Sequence, residues 1–241
     1  SQSHIILFEE PELFLHPQAQ EQFFDDLLTV SETDQVLIAT HSSHLVRIDH
    51  VDSLVVLRRE TQTSPTRHFR AGDVLVRSRD DRQTLKDIAL VSSEVAKMFF
   101  AEKIILVEGQ ADYIYIVGSA EMKHLVDRRV AVVPAGSKET LPRLQEILNG
   151  FQIPYVVAYD VDPGNEQSAQ TTAKIVNLVR EAQSFGVHAE VSEFSPTLAE
   201  VCGNTNETSK DKPYQAFHWI KSNNPSEEFL ARIEEFYDLS A

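Results

Sequence analysis

Two short apolar runs, each stopping on an acid, constrain this chain more than any other feature. Lys103-Ile-Ile-Leu-Val107 is followed by Glu108-Gly-Gln-Ala-Asp112, and Tyr155-Val-Val-Ala-Tyr159 by Asp160-Val-Asp162. Such a run reads as a strand buried on both faces, the pattern of a parallel sheet. A carboxylate just past it sits at the carboxyl edge, where open α/β sheets place their ligands. Glu108, Asp112, Asp160 and Asp162 converging there repel one another unless a hard cation neutralises them. Mg²⁺ or Mn²⁺, both takers of oxygen ligands, is therefore expected, and with it a metal-dependent phosphate chemistry. The competing reading is a Rossmann-like domain whose edge acids only cap helices. Asp160-Val-Asp162 weighs against it, because it carries two charges where one cap suffices.

The surrounding pattern alternates. Strands are expected near 103–107, 130–134, 154–159 and 188–193, and helices near 110–121, 138–149 and 167–185. That order implies right-handed crossovers and a parallel sheet covered on both faces, an α/β fold. Asp160 lies directly at its strand end and is placed to bridge two ions, while Asp162 points the same way at period two. Asp112, four residues after Glu108 at a helix start, can approach the same cation. Gly136 and Ser137 follow the second strand and can offer amides to a phosphate, or form an ordinary turn. Lys138 beside them reads as a contact to a nucleic-acid backbone.

On either side the pattern changes. Strands are expected near 4–9, 35–40 and 52–58, with Phe23, Phe24, Leu27 and Leu28 at helical spacing between the first two. Residues 60–82 are polar and rich in arginine, including Arg67, Arg70, Arg77, Arg79 and Arg82, with Pro65 and Gly72. A solvated linker is favoured over a DNA surface there, since no aromatic stacking pattern accompanies the charges. Leu85, Ile88, Ala89, Val95 and Phe99 suggest a helix leading into the strand at Lys103. After a polar loop at 203–211, Lys212-Pro213 opens a helix. A last amphipathic helix is expected from about Ser226 to Tyr237.

Composition limits the partners. A net charge of −15 over 241 residues argues against a generic polyanion-binding surface. Bound divalent metal would soften that objection by adding local positive charge. The single cysteine, Cys202, excludes an intrachain disulfide and a cysteine-based zinc site, which suits a cytoplasmic protein. No apolar stretch approaches the roughly 20 residues of a membrane span, so no membrane partner is expected.

Glu108-Gly-Gln-Ala-Asp112 with Asp160-Val-Asp162 resembles the Toprim module of topoisomerases, bacterial primases and several nucleases, over roughly residues 100–215. The amino-terminal Ile5-Ile-Leu-Phe-Glu9-Glu10-Pro11-Glu12 resembles the Walker B strand of ABC-type ATPases, although Glu9 stands where most have Asp. Gln35-Val-Leu-Ile-Ala-Thr40-His41 resembles the strand carrying their switch histidine. No Gly-x-x-x-x-Gly-Lys-Ser/Thr P-loop occurs, so ATP hydrolysis by this chain alone is not expected.

An ATPase segment running into Toprim resembles the OLD (overcoming lysogenisation defect) family, of which Glu9-Glu10-Pro11-Glu12 with Leu15-His16-Pro17 is typical. The resemblance implies a Toprim Rossmann-like sheet flanked by helices, after a partial ATPase segment. It divides the chain into 1–60 (carboxyl-terminal part of the ATPase), 61–100 (linker and helix), 101–202 (Toprim) and 203–241 (loop and helices completing the site). It further implies a DNA endonuclease or nickase working through two Mg²⁺ or Mn²⁺ ions and coupled to ATP in a longer protein. Partners would be DNA and the missing amino-terminal ATPase part, with a homo-oligomer left open. Glu108, Asp160 and Lys212 would be catalytic, with Glu108, Asp112, Asp160, Asp162 and Glu200 holding metal. Glu9, Glu10 and His41 would be a remnant of the ATP site. Glu200 reads equally as a helix-start acid. Lys212 at a helix start sits where the dipole disfavours a cation, which favours a functional role.

The rivals are a topoisomerase- or primase-like enzyme and a non-catalytic DNA-repair interaction module. The first lacks a recognisable tyrosine nucleophile or nucleotide site. The second leaves the clustered carboxylates without a purpose.

Overall fold

The buried apolar strands form a four-stranded parallel sheet. In a computed structural model of the chain, the residues described are 4–59, 63–70, 83, 86–87 and 94–239. The sheet strands are β5 (Lys103–Val107), β6 (Val130–Pro134), β7 (Tyr155–Asp160) and β8 (Ala189–Phe194), in the order β6-β5-β7-β8. From β5 the chain steps to one side for β6 and then returns to the other side for β7. The β5–β7 junction is therefore the point where strand order reverses, and a crevice opens there at the carboxyl edge.

Each face of the sheet is closed by helices. On one, Ile104, Leu106, Val157 and Tyr159 pack against α3 (Leu141–Gly150) and α4 (Glu166–Ser184). On the other, Ile105, Val107, Val156 and Ala158 meet α2 (Gln110–Met122), α5 (Leu198–Cys202), α6 (Lys212–Ser222) and α7 (Glu227–Tyr237). Lys103 opens β5 at 4% exposure, and its ammonium donates to the carbonyls of Glu235 at 3.2 Å and Asp238 at 2.7 Å. A cation at the carboxyl end of α7 complements the helix dipole.

The amino-terminal segment pairs β1 (Ile5–Glu9) in parallel with β2 (Gln35–Ala39), with α1 (Pro17–Val30) between them. Phe8 meets Phe23 of α1 edge-on at 5.6 Å. The third expected strand is shorter than 52–58, because a 3₁₀ turn occupies Ile48–Ser53. It does not join β1 and β2. Instead β3 (Val55–Arg58) pairs antiparallel with β4 (Arg67–Arg70), inside the stretch expected to be linker. Val56 and Phe69 explain the difference, since both pack against the core beneath α3 and α4. Arg58 adds a bond from Nη1 to the Gln152 carbonyl at 3.0 Å.

Val95–Phe99 form a 3₁₀ turn, whereas Gly72, Arg77, Arg79, Arg82, Leu85, Ile88 and Ala89 lie outside the described residues. The helix expected from 138 begins as a 3₁₀ turn at Lys138–Thr140 and becomes α-helical only at Leu141, with Pro142 in its first turn. Among the described residues, no helix is long and apolar enough to cross a membrane.

Helix α6 lies tightly on α2. A Cβ at Gly118 would come within 2.6 Å of Ile220 Cγ2. Gly118→Val is therefore expected to destabilise the fold by about 1–3 kcal/mol through overpacking, read as a lower urea midpoint. An unchanged midpoint would contradict this helix contact.

Candidate active site

The strand-order reversal brings together the two acids that end β5 and β7. The Asp160 backbone N–H donates to Glu108 Oε1 at 2.9 Å, joining residues that lie 52 apart in sequence. Asp160 in turn uses Oδ1 to accept the Leu198 N–H at 2.7 Å, which ties the end of β7 to the start of α5. Asp112 sits in the first turn of α2, where Oδ2 accepts the Gly109 N–H at 2.9 Å. Asp162 Oδ2 accepts from Ser168 Oγ at 2.8 Å and from Lys138 Nζ at 3.2 Å. Each of the four acids thus spends one oxygen on a structural donor. The second oxygen of each has no hydrogen-bond partner among the described residues.

The electrostatics separate these acids. Burial, reinforced by the Asp160 charge, pushes Glu108 up to about 7. Burial and the same neighbour push Asp112 up to about 7. Asp160 is pushed up to about 6, chiefly by burial, with Asp162 and Glu207 adding repulsion against the pull of the Leu198 N–H and Lys212. Asp162 moves the other way, held below the usual carboxylate range by Ser168 and then Lys138.

Lys212 opens α6 at the rim, and its charge reaches Asp160, Asp112 and Asp162. Its ammonium stands 3.7 Å from Glu207 Oε2. The other Glu207 oxygen accepts the Tyr115 hydroxyl at 2.9 Å, and that hydroxyl accepts from Asn204 Nδ2 at 2.7 Å. Glu207, unremarked in its polar loop, is the acid that faces Lys212. Glu200 is exposed in the first turn of α5, outside this bonded group, with its N–H on Thr197 Oγ1 at 3.2 Å.

Near the second strand, the Ser137 amide is bonded to Thr140 Oγ1 at 3.2 Å, while Gly136 adopts a left-handed φ of 93°. Lys138 does not extend outward as expected for a DNA contact. It is 5% exposed, because its ammonium finds acceptors inside the turn after β7.

At the other site, Glu9 ends β1 in register with Ala39 of β2. Glu10 Oε1 lies 3.9 Å from His41 Nε2, with both side chains exposed. Glu12, the last acid of the amino-terminal motif, accepts from Thr40 Oγ1 at 2.6 Å and from the His41 N–H at 3.0 Å. It fixes the backbone that presents His41.

The donor set at the β5–β7 edge suits a hard divalent cation: oxygens only, one open oxygen per acid, and mutual repulsion that such a cation would relieve. Among the described residues, no three His, Cys, Asp or Glu side chains stand ready as a metal cage. The open oxygens are neighbours through charge rather than a preformed shell.

Residues 99–162 match the family model for overcoming lysogenization defect protein-like, TOPRIM domain, and residues 1–46 match an AAA ATPase domain. The chain is 25% identical over 240 residues to the OLD nuclease of Thermus scotoductus, covering 90% of this chain and 44% of that protein. It is 25% identical over 162 residues to the Old nuclease of Escherichia phage P2, covering 66% of this chain and 28% of that one. The chain therefore spans less than half the length of these curated relatives. The C-terminal region of the Burkholderia pseudomallei OLD protein is 20% identical, covering 56% of this chain and 81% of that one. The TM-score of that pair is 0.30.

Raised carboxyl pKa values carry a stability signature. A folded state that holds protons more tightly than the unfolded chain loses stability as pH rises through the gap. Metal-free protein is expected to melt at falling temperature between the ordinary carboxylate range near 4 and the folded values of about 6 to 7. Mn²⁺ should restore the melting temperature above that window and do little below it. Asp160→Asn should flatten the fall, and a wild-type melting temperature indifferent to pH would contradict the burial assigned to these acids.

Proposed function

We propose, from the premise that this chain joins an OLD-like Toprim domain to an AAA-type ATPase segment, that it carries the cleavage site of a metal-dependent DNA endonuclease or nickase. The observation that carries the reading is the Asp160 N–H bond to Glu108, which gathers acids with burial-raised pKa values at the strand-order reversal. On this reading residues 1–60 are the ATPase segment, 61–100 the connection, 101–202 the Toprim domain and 203–241 its completing loop and helices. ATP coupling belongs to a protein that also supplies a P-loop, which this sequence does not contain.

Mg²⁺ or Mn²⁺ as a pair, when held by Glu108, Asp112, Asp160 and Asp162 with Glu200 as a further ligand, would activate water and stabilise the leaving oxygen of a phosphodiester. Glu108 and Asp160 are each pinned through one bonded oxygen, which leaves the other oxygen of each to a cation. Lys212, about half exposed at the rim, supplies a point charge to a phosphate in the transition state. Glu207 keeps that ammonium near the acids, and Tyr115 with Asn204 fixes Glu207. Gly136 is the position from which a backbone amide can meet phosphate, the Ser137 amide being bonded to Thr140.

Supercoiled plasmid is expected to be nicked or linearised with Mn²⁺ or Mg²⁺ and left intact in EDTA. Cleavage that persists in excess chelator would rule the metal reading out. Asp160→Ala should abolish both metal uptake and cleavage. Lys212→Ala should spare metal uptake, measured by calorimetry, and slow cleavage by about 10²–10³-fold, the loss of one transition-state donor. Cutting at the parent rate would make Lys212 a surface residue.

A further inference from the structure

The acidic group contains a buried cation that the proposed chemistry does not use. Lys138 begins the turn after β6, is 5% exposed, and sends its ammonium across to the turn after β7. There it donates to the Asp160 carbonyl, to Asp162 Oδ2 at 3.2 Å and to Ser168 Oγ at 2.8 Å. Three protons meet three acceptors, so the ammonium is fully satisfied. Ser168 closes the circuit by donating its own hydroxyl to the same Asp162 oxygen at 2.8 Å. The ring of Tyr159 lies under the ammonium, 5.0 Å from it. A lysine is buried in this way only when paired and hydrogen-bonded.

We propose that Lys138 is a positioning residue for the metal site. It fixes the Asp160 main chain and one oxygen of Asp162, so that Asp162 offers a single open oxygen in a defined direction. Asp162 is the most exposed of the pair it forms with Lys138, its side chain at 49% against 5%. Without the lysine only the Ser168 hydroxyl would hold its bonded oxygen, in the turn after β7. Outer partners that orient metal ligands in this way typically affect metal affinity about 10–100-fold when removed. The inference rests on the metal-site reading above, and its test separates the two.

The experiment is calorimetric titration with Mn²⁺ of the wild-type chain and of Lys138→Met, Ser168→Ala, Asp162→Asn and the Lys138→Met/Asp162→Asn double variant. Circular dichroism melts confirm that each is folded. Lys138→Met is expected to weaken Mn²⁺ binding about 10–100-fold, and Ser168→Ala to weaken it less and in the same direction. Because the lysine acts through Asp162, the double variant should bind like Asp162→Asn alone, a non-additivity that general loss of structure does not produce. Wild-type affinity in folded Lys138→Met, tighter binding there, or additive losses in the double variant would each overturn the proposal while leaving the metal reading standing. Failure of the wild-type chain to take up Mn²⁺ would overturn both. Should Lys138→Met not fold, Ser168→Ala and its combination with Asp162→Asn decide the question by the same comparison.

Discussion

The hydrogen bond from the Asp160 N–H to Glu108 Oε1 is the constraint from which the rest of the site follows. At the end of β7 the sheet ladder runs out on the β5 side, and a peptide group there needs an acceptor. Glu108 supplies it with a charged group, although burial penalises that charge. An acid that satisfies a buried amide cannot swing freely into solvent. Its position is thus set by backbone geometry, and Asp160 inherits the same precision through Leu198 on its far side.

Negative charge gathered in this way must be offset locally. Glu108, Asp112, Asp160, Asp162 and Glu207 face two lysines, Lys138 and Lys212. The two work differently. Lys138 is enclosed and spends its protons on fixed acceptors, so it orders the turn that holds Asp162. Lys212 stays about half exposed, with Glu207 3.7 Å away as its ion-pair partner and no enclosing set of acceptors around it among the described residues, which leaves it available to an incoming anion. The remaining excess of acid is what a divalent cation would neutralise under the proposed reading.

Strands β5 and β6 were legible to the residue, because unbroken apolar runs bounded by polar turns leave a buried strand little latitude. Glu10 and His41, both assigned to an ATP-site remnant by the resemblance, stand 3.9 Å apart. What escaped were features decided by distant partners. Lys138 beside Gly136-Ser137 looks solvated, and its burial depends on Asp162 and Ser168, 24 and 30 residues away. Glu207 sits in a polar loop with no periodicity, and what distinguishes it is Tyr115, 92 residues earlier, together with Lys212. Strand β4 has a single strongly apolar residue, Phe69, and exists because that ring reaches the core with Val56.

The two halves of the chain also share a core. Ile48 and Val51, which follow the His41 strand, pack with Met98, Phe99 and Leu106 on the face covered by α3 and α4. Lys138 and Ser168 come from the starts of the elements on that same face. Asp112, Glu207 and Lys212 come from the opposite side, with α2, α6 and the loop before it. The acid group is therefore gripped from both layers of the fold, and one of those layers is continuous with the segment that carries Glu10 and His41. Packed side chains thus connect the segment after His41 to the face of the sheet from which Lys138 and Ser168 come.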